Sequence, residues 1–348
     1  MFNRKHRAQA RIIWRWVVNL WRALILGKDH VLPFVNVFHL THRCDANCTW
    51  CSQREVIGEE EHPELPHEKL RIVLLRLFKI SPALYITGGE PTMHNELVPL
   101  LKLARELGFW PITVNANGLQ LYRFPEILQY ADRTVVSLHS HDTHLQCKIL
   151  GIRPRIVFRL ITNLRAFRRL AEDHGNKLFI NCVLSSENVH WATAVLKLCI
   201  LNRTPLTINP VIIDRKPALE TASVTMRQEY QAFLDLVIKQ KKTHPWVITN
   251  TRRYLMQTRN FGSFHCRPLC IMCVNPDGTV QNPCRAKYPY VDEVLGSLLK
   301  EEALVLLNRG LNFKDSFTGC KHNCCKTCFV EPALSLAHPF SAIMSFVH

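Results

Sequence analysis

Three cysteines, Cys44, Cys48 and Cys51, stand in the run Arg43-Cys44-Asp45-Ala46-Asn47-Cys48-Thr49-Trp50-Cys51. Their spacing is C-x3-C-x2-C, with an aromatic residue before the last. Three thiolates on one short loop can hold three corners of a four-iron cluster. The fourth iron is then open to a ligand that is not protein, and an open iron can bind and activate a small molecule. A structural zinc site matches poorly, because its four ligands usually come in C-x2-C pairs. A disulfide framework suits short secreted domains, and this chain has 348 residues and no secretory signal pattern.

A second motif is Thr87-Gly88-Gly89-Glu90-Pro91, with Gly88 37 positions after Cys51. It follows Ala83-Leu84-Tyr85-Ile86, an apolar run that reads as a buried strand. Two glycines at a strand's end let a ligand come close to the backbone. Their carbonyls and the Glu90 carboxylate can accept hydrogen bonds from an ammonium group. Alone, the run reads equally as an ordinary strand-to-helix turn.

Together, Cys44, Cys48, Cys51, Trp50 and Thr87-Gly88-Gly89-Glu90-Pro91 resemble the radical S-adenosylmethionine (radical SAM) superfamily, over roughly residues 34–330. The resemblance implies a [4Fe-4S] cluster whose open iron is chelated by the amino and carboxylate groups of SAM. It implies reductive cleavage of SAM to methionine and a 5′-deoxyadenosyl radical, with electrons from a partner such as flavodoxin or ferredoxin. The protein's part is to orient the cofactor and exclude water.

The elements that must position these groups alternate along the chain. Strands are expected at 34–40, 83–87, 110–115, 134–139, 177–184 and 206–212, and helices at 67–79, 95–107, 124–130, 155–174 and 189–201. Such alternation implies a parallel sheet with right-handed crossovers. Six strands match the partial (βα)6 barrel of the resembled family, an α/β fold with its site at the strands' C-terminal ends. Asn115 and Asn117 fall at the end of strand three, and Ser137 and His139 at the end of strand four. By position, Ser137 and Asn181 look like the residues that bind the ribose and methionine parts of SAM in relatives. Asn115 and His139 are candidates to reach SAM or substrate. Each is otherwise a satisfied polar group at the barrel rim. Trp50 either packs on the adenine or shields the cluster. No general acid, base or nucleophile is assigned.

Eleven of the 14 cysteines fall in two groups, at 44–51 and 266–328. That clustering argues for metal sites in a reducing compartment. Cys147, Cys182 and Cys199 stand alone and receive no role. In the second group, Cys266, Cys270 and Cys273 precede Pro276-Asp277-Gly278, a hairpin turn signal that would bring Cys266 near Cys284. Cys320, Cys324, Cys325 and Cys328 follow. This resembles the SPASM/twitch extension, which implies one auxiliary iron–sulfur cluster on Cys266, Cys284 and members of the last group, with Cys320, Cys324 and Cys328 as candidates. The count also permits two clusters, or a zinc site on some of the same thiols. Cys270 and Cys273 are extra to the pattern.

The formal charge is +16, and residues 1–28 hold seven Lys or Arg and no acid. Within them Arg11, Arg15, Asn19 and Arg22 share one helical face. Ile13, Trp14, Val17, Leu20, Trp21, Leu24 and Ile25 share the other. This is the composition of an interfacial anchor and is too short in apolar runs to span a bilayer. The alternative is a helix that caps the barrel or packs on a partner. The expected organisation is an anchor helix at 1–30, a radical SAM core at 31–225, a helical bridge at 226–262, an iron–sulfur extension at 263–332 and a tail at 333–348. The expected location is cytoplasmic, peripheral on the inner face of the membrane. The anchor favours a hydrophobic or membrane-associated substrate. Peptide maturation, RNA modification and a non-catalytic iron–sulfur scaffold are the competing readings. No segment remains for a cobalamin-binding unit or a peptide-recognition module.

Overall fold

Alternating apolar strands and amphipathic helices build the centre of the molecule. The computed structural model describes residues 4–27, 30–51, 53, 63–213, 216–281, 294–312 and 326–337. Helix α1 (Arg4–Ile25) precedes β1 (Val35–Thr41), α2 (His67–Ile80), β2 (Leu84–Gly88), α3 (Leu97–Leu107), β3 (Ile112–Ala116), α4 (Glu126–Tyr130) and β4 (Arg133–Ser137). Then come α5 (Thr143–Leu150), α6 (Pro154–Asp173), β5 (Lys177–Leu184), α7 (Ala192–Leu201) and β6 (Leu206–Pro210). A two-stranded ladder, β7 (Ile212–Ile213) with β8 (Lys216–Pro217), leads to α8 (Val224–Thr243) and α9 (Arg252–Arg259). The chain continues through β9 (Ile271–Val274), β10 (Thr279–Gln281), β11 (Val294–Ser297), α10 (Ala303–Asn312) and α11 (Thr327–Ala337).

Strands β1 to β6 lie side by side in chain order, all parallel. This is the α/β barrel arrangement expected from the sequence. Helix α5 is an addition. The Asp142 side chain caps its start by accepting the Leu145 amide at 2.7 Å. Strand β4 ends at Ser137, so His139 lies in the loop beyond it.

Every second side chain of the strands faces the helices. Phe38, Leu40, Ile86, Val114, Val136 and Ile180 pack there in one apolar cluster with Leu70, Leu74 and Leu77 of α2 and Leu100 of α3. Burying each such side chain contributes about 1.5–3 kcal/mol. The alternate positions point into the barrel, and near the C-terminal ends they are polar: Thr87, Asn115, Ser137, Asn181 and Asn209. A parallel sheet covered on both faces is normally apolar on both. Polar residues on the inner face therefore mark a site rather than a second core.

The Pro276-Asp277-Gly278 turn joins β9 and β10 in an antiparallel pair, with Asp277 accepting the Thr279 amide at 2.9 Å. Strand β9 pairs parallel with β1, so the hairpin and β11 extend the barrel sheet itself. Helix α8 likewise buries Tyr230, Phe233, Leu234 and Val237 in the main core.

Helix α1 caps the barrel with its polar stripe. Arg4 donates to the Phe109 carbonyl at 2.7 Å and pairs with Asp132 at 2.5 Å. Arg11 donates to the Phe78 carbonyl at 2.7 Å, and Arg15 to that of Ile80. Asn19 is fully buried and exchanges two hydrogen bonds with the Leu32 backbone. The Phe78 and Ile80 carbonyls belong to the end of α2, where helices leave acceptors unsatisfied and favour cations. Most of the apolar face is turned outward, with Trp14 67%, Trp21 58% and Leu24 82% exposed, while Leu20 packs inward. No helix among the described residues is long and apolar enough to cross a membrane.

Candidate iron–sulfur and cofactor site

The cysteine loop leaves the C-terminal end of β1 and is fastened on three sides. On the first, the Gly89 amide donates to the Thr41 carbonyl at 2.7 Å and the Glu90 amide to the Arg43 carbonyl at 2.8 Å. On the second, Asp45 accepts from the Asn117 side-chain amide at 2.6 Å and from Gln120 at 2.8 Å. On the third, the Asn47 and Thr49 amides donate to the Leu150 and Ile149 carbonyls at 2.8 and 3.0 Å. A Cβ on Gly151, which has φ +63°, would sit 2.5 Å from the Asn47 carbonyl oxygen. The loop thus presents three half-buried thiols from a braced backbone.

The two glycines of the second motif serve this bracing. A Cβ on Gly88 would lie 2.3 Å from the Thr41 carbonyl oxygen, and one on Gly89 2.3 Å from that of Arg43. The close approach that requires glycine is therefore first to the protein's own cysteine loop. Glu90 is turned inward at 1% exposure. One of its oxygens accepts from the Thr92 amide and hydroxyl at 3.1 and 2.7 Å, the other from the Asn117 amide at 2.6 Å. Burial pushes the carboxyl up to about 7 against the pull of those donors.

An outer clasp lies beside this. Arg43 grips Glu64 with two bonds of 2.8 Å and donates to the Met93 carbonyl at 2.7 Å, and the Thr41 hydroxyl also meets Glu64. These contacts hold Glu64 below the ordinary carboxylate range although burial opposes them.

The predicted strand-end residues share one inner face. Ser137 and Asn181 are register partners on β4 and β5, and Asn209 donates to the Asn181 side-chain oxygen at 2.8 Å. The Asn115 side-chain oxygen is buried without a hydrogen-bond partner among the described residues. A buried acceptor left so costs about 1–3 kcal/mol, which a ligand donor would relieve. His139 accepts the Val183 amide on Nδ1 at 3.1 Å, and burial pushes it down to about 4, so it is neutral. The half-buried Trp50 meets it edge-on, 5.6 Å between ring centroids. His39 Nδ1 lies 2.9 Å from the Gln53 amide nitrogen.

The donor set fits a cluster with an open iron. It has three thiols on one loop, an unpartnered acceptor and polar side chains on the adjoining strand ends. Burial pushes the Cys44 thiol up to about 12, so its proton must leave when a metal binds. Among the described residues no three His, Cys, Asp or Glu side chains could hold a single metal ion. Asp45, Gln120 and Glu64 are the bracing positions that sequence reasoning missed. Their partners are distant along the chain, and only the placing of Asp45 between Cys44 and Cys48 hinted at its role.

The second cysteine group divides. Cys266 and Cys273 pack with Val35 and Val37 on the barrel side of the sheet. Cys270, in the short turn before β9, lies apart from them, fully buried with Val31 and Leu269 against Trp16 and Leu20 of α1. There burial pushes its thiol up to about 12. Cys284, Cys320, Cys324 and Cys325 lie outside the described residues, as does the Cys328 side chain.

An open parallel βα barrel with a braced three-cysteine loop at its mouth is the arrangement that the radical SAM resemblance implied. Residues 38–184 match the model of the Radical SAM superfamily, and this part of the chain is a radical SAM domain. The chain is 32% identical over 140 residues to the probable GTP 3′,8-cyclase of Saccharolobus solfataricus, covering 38% of this chain and 40% of that protein. It is 29% identical over 165 residues to the probable GTP 3′,8-cyclase of Sulfurisphaera tokodaii, covering 46% and 50%. The chain therefore spans about half or less of the length of these curated relatives.

Among solved structures it resembles anSMEcpe with bound AdoMet and the Cp18Cys peptide. The TM-score is 0.60 at 16% identity, over 90% of this chain and 99% of that one. It also resembles Streptococcus suis SuiB bound to S-adenosylmethionine, with a TM-score of 0.59 at 18% identity, over 78% and 65%. At these identities the likeness is one of fold.

Proposed function

We propose that the protein is a radical SAM enzyme whose cluster is held by Cys44, Cys48 and Cys51 at the barrel mouth. When bound, the cluster and SAM supply reductive cleavage to a 5′-deoxyadenosyl radical, for hydrogen abstraction or addition. The braced cysteine loop beside Gly88–Gly89 is the observation that carries this reading. In it, the Gly88 and Gly89 carbonyls face the ammonium group of SAM. Glu90 holds that turn through Thr92 and Asn117 rather than offering a free carboxylate. The Asn115 oxygen takes a donor from SAM or substrate, Ser137 and Asn181 bind the ribose and methionine parts, and Trp50 with neutral His139 excludes water.

The same reading includes a SPASM/twitch-like extension. Its auxiliary cluster is ligated by Cys266, Cys284 and two of the final four cysteines, with Cys320, Cys324 and Cys328 as the candidates, and Cys273 packs in the same cluster of side chains as Cys266. A flavodoxin or ferredoxin delivers the electron, and α1 attaches the protein to the cytoplasmic face of a membrane.

Peptide modification is the best-supported substrate class. Solved structures of similar fold are named with a bound peptide, among them one that matches over most of both chains. A bilayer-embedded substrate has less support, because α1 and the cysteine loop lie at opposite ends of the barrel. An RNA substrate would rest on the basic α6. Two of its arginines are already engaged, Arg165 with Asn202 and Arg168 with Glu172, each at 2.6 Å.

Anaerobic reconstitution, reduction and addition of SAM test the proposal. Formation of 5′-deoxyadenosine is expected, and its absence would leave the scaffold reading. An iron content of about four per chain would rule out an auxiliary four-iron cluster, whereas about eight would support one.

A further inference from the structure

Helix α1 is docked with the face that a membrane helix would normally show to water turned into the protein. Its Arg4, Arg11, Arg15 and Asn19 are spent on the backbone and Asp132. What remains outside is one stripe, with His6 and Arg7 at its start and Ile13, Trp14, Val17, Trp21, Leu24 and Ile25 after them, each 44–82% exposed. The apolar part, thirteen residues from Ile13 to Ile25, runs about 18–20 Å along the helix.

Every partner of the buried stripe lies at the N-terminal end of a barrel strand. Leu32 precedes β1, Phe78 and Ile80 end the helix before β2, Phe109 precedes β3 and Asp132 precedes β4. Cys44, Cys48 and Cys51 follow the C-terminal end of β1.

We infer that the barrel stands on an anionic membrane through the outward stripe of α1, with the cysteine mouth facing water, so that the substrate arrives from the aqueous side. This deepens the peripheral-membrane reading above and rests on it. A helix face of exposed side chains needs no complementary groove to meet a fluid lipid surface. Two tryptophans along it suit the headgroup boundary. The chain's +16 charge complements anionic lipid. An interfacial helix sinks about 5–10 Å into a leaflet. A strand of five to seven residues sets the mouth roughly 16–23 Å further up, beyond reach of the acyl chains.

The test uses the full chain and vesicles of phosphatidylcholine with phosphatidylglycerol carrying brominated acyl chains, which quench nearby tryptophan. Binding that requires phosphatidylglycerol is expected, with part of the tryptophan emission quenched. Trp14→Phe and Trp21→Phe should each lower the quenched fraction, and Trp50→Phe should leave it unchanged. Leu24→Glu, at a solvated position, should abolish binding without unfolding the protein. If Trp50→Phe removes the quenched fraction while binding persists, the orientation is wrong and the attachment stands. If no vesicles are bound, or if α1 instead joins two copies in a dimer that Leu24→Glu dissociates, the attachment itself is wrong. Neither result depends on SAM cleavage.

Discussion

The Glu90 carboxylate accepts the Asn117 backbone amide at 2.6 Å, and through it the end of β2 is tied to the end of β3. Asn117 in turn donates its side-chain amide to Asp45 inside the cysteine loop. Two short contacts thus link three loops at the barrel mouth, and the thiol positions depend on them.

Glu90 should make stability pH-dependent. Burial raises its carboxyl from 4.5 to about 7. Between those values the folded protein keeps a proton that the unfolded chain releases. Stability should therefore fall as pH rises through that window, on the order of 3 kcal/mol in total, and be flat in this respect above it. Glu90→Gln should remove that slope. Chemical denaturation of both proteins across the window measures it, and parallel curves would show that Glu90 does not titrate there.

Gly88→Ala and Gly89→Ala should each push the cysteine loop off its seat, because each Cβ would meet a backbone oxygen at 2.3 Å. Gly88 adds a φ of +142°. A destabilisation of about 1–3 kcal/mol is expected for each. Iron incorporation should fall while far-ultraviolet circular dichroism stays near wild type. Full iron content in either variant would contradict the close approach.

Asp45→Ala strands two amide donors, those of Asn117 and Gln120. The cost should be about 1–3 kcal/mol, concentrated in the loop. Cluster loss on mild chelation should speed up, and Asp45→Asn, which keeps one acceptor, should recover part of the difference. Chelation followed by absorbance separates the three proteins.

The second cysteine group should divide by surroundings, Cys270 under α1 and Cys266 beside β1. Cys270→Ala should leave the iron count unchanged, since that thiol sits among apolar residues under α1. Cys266→Ser should reduce the count without abolishing 5′-deoxyadenosine formation. Cys44→Ser should abolish that product. Equal iron loss in the Cys270 and Cys266 variants would overturn the division.

Much of this was legible in the residues. The cysteine spacing, the strand before Gly88 and the alternation of strands and helices are local patterns, and local patterns follow from period and propensity. The polar strand ends at Asn115, Ser137 and Asn181 follow once a parallel barrel is assumed. Helix α5 was missed although Asp142 and Gly151 bound it, and β4 stops two residues before His139.

Contacts between distant positions were decided only by the folded chain. Asp45 and Asn117 are 72 residues apart, so nothing in either neighbourhood announces their bond. Cys270 and Cys273 differ by three positions yet lie in separate clusters, because Cys270 ends the short turn before β9 and packs under α1, whereas Cys273 stands on β9 beside Val35 and Val37. Amphipathic periodicity divided α1 into two faces without saying which would turn inward. The unsatisfied carbonyls at the end of α2 settled that, by offering the arginines partners that water would otherwise have supplied.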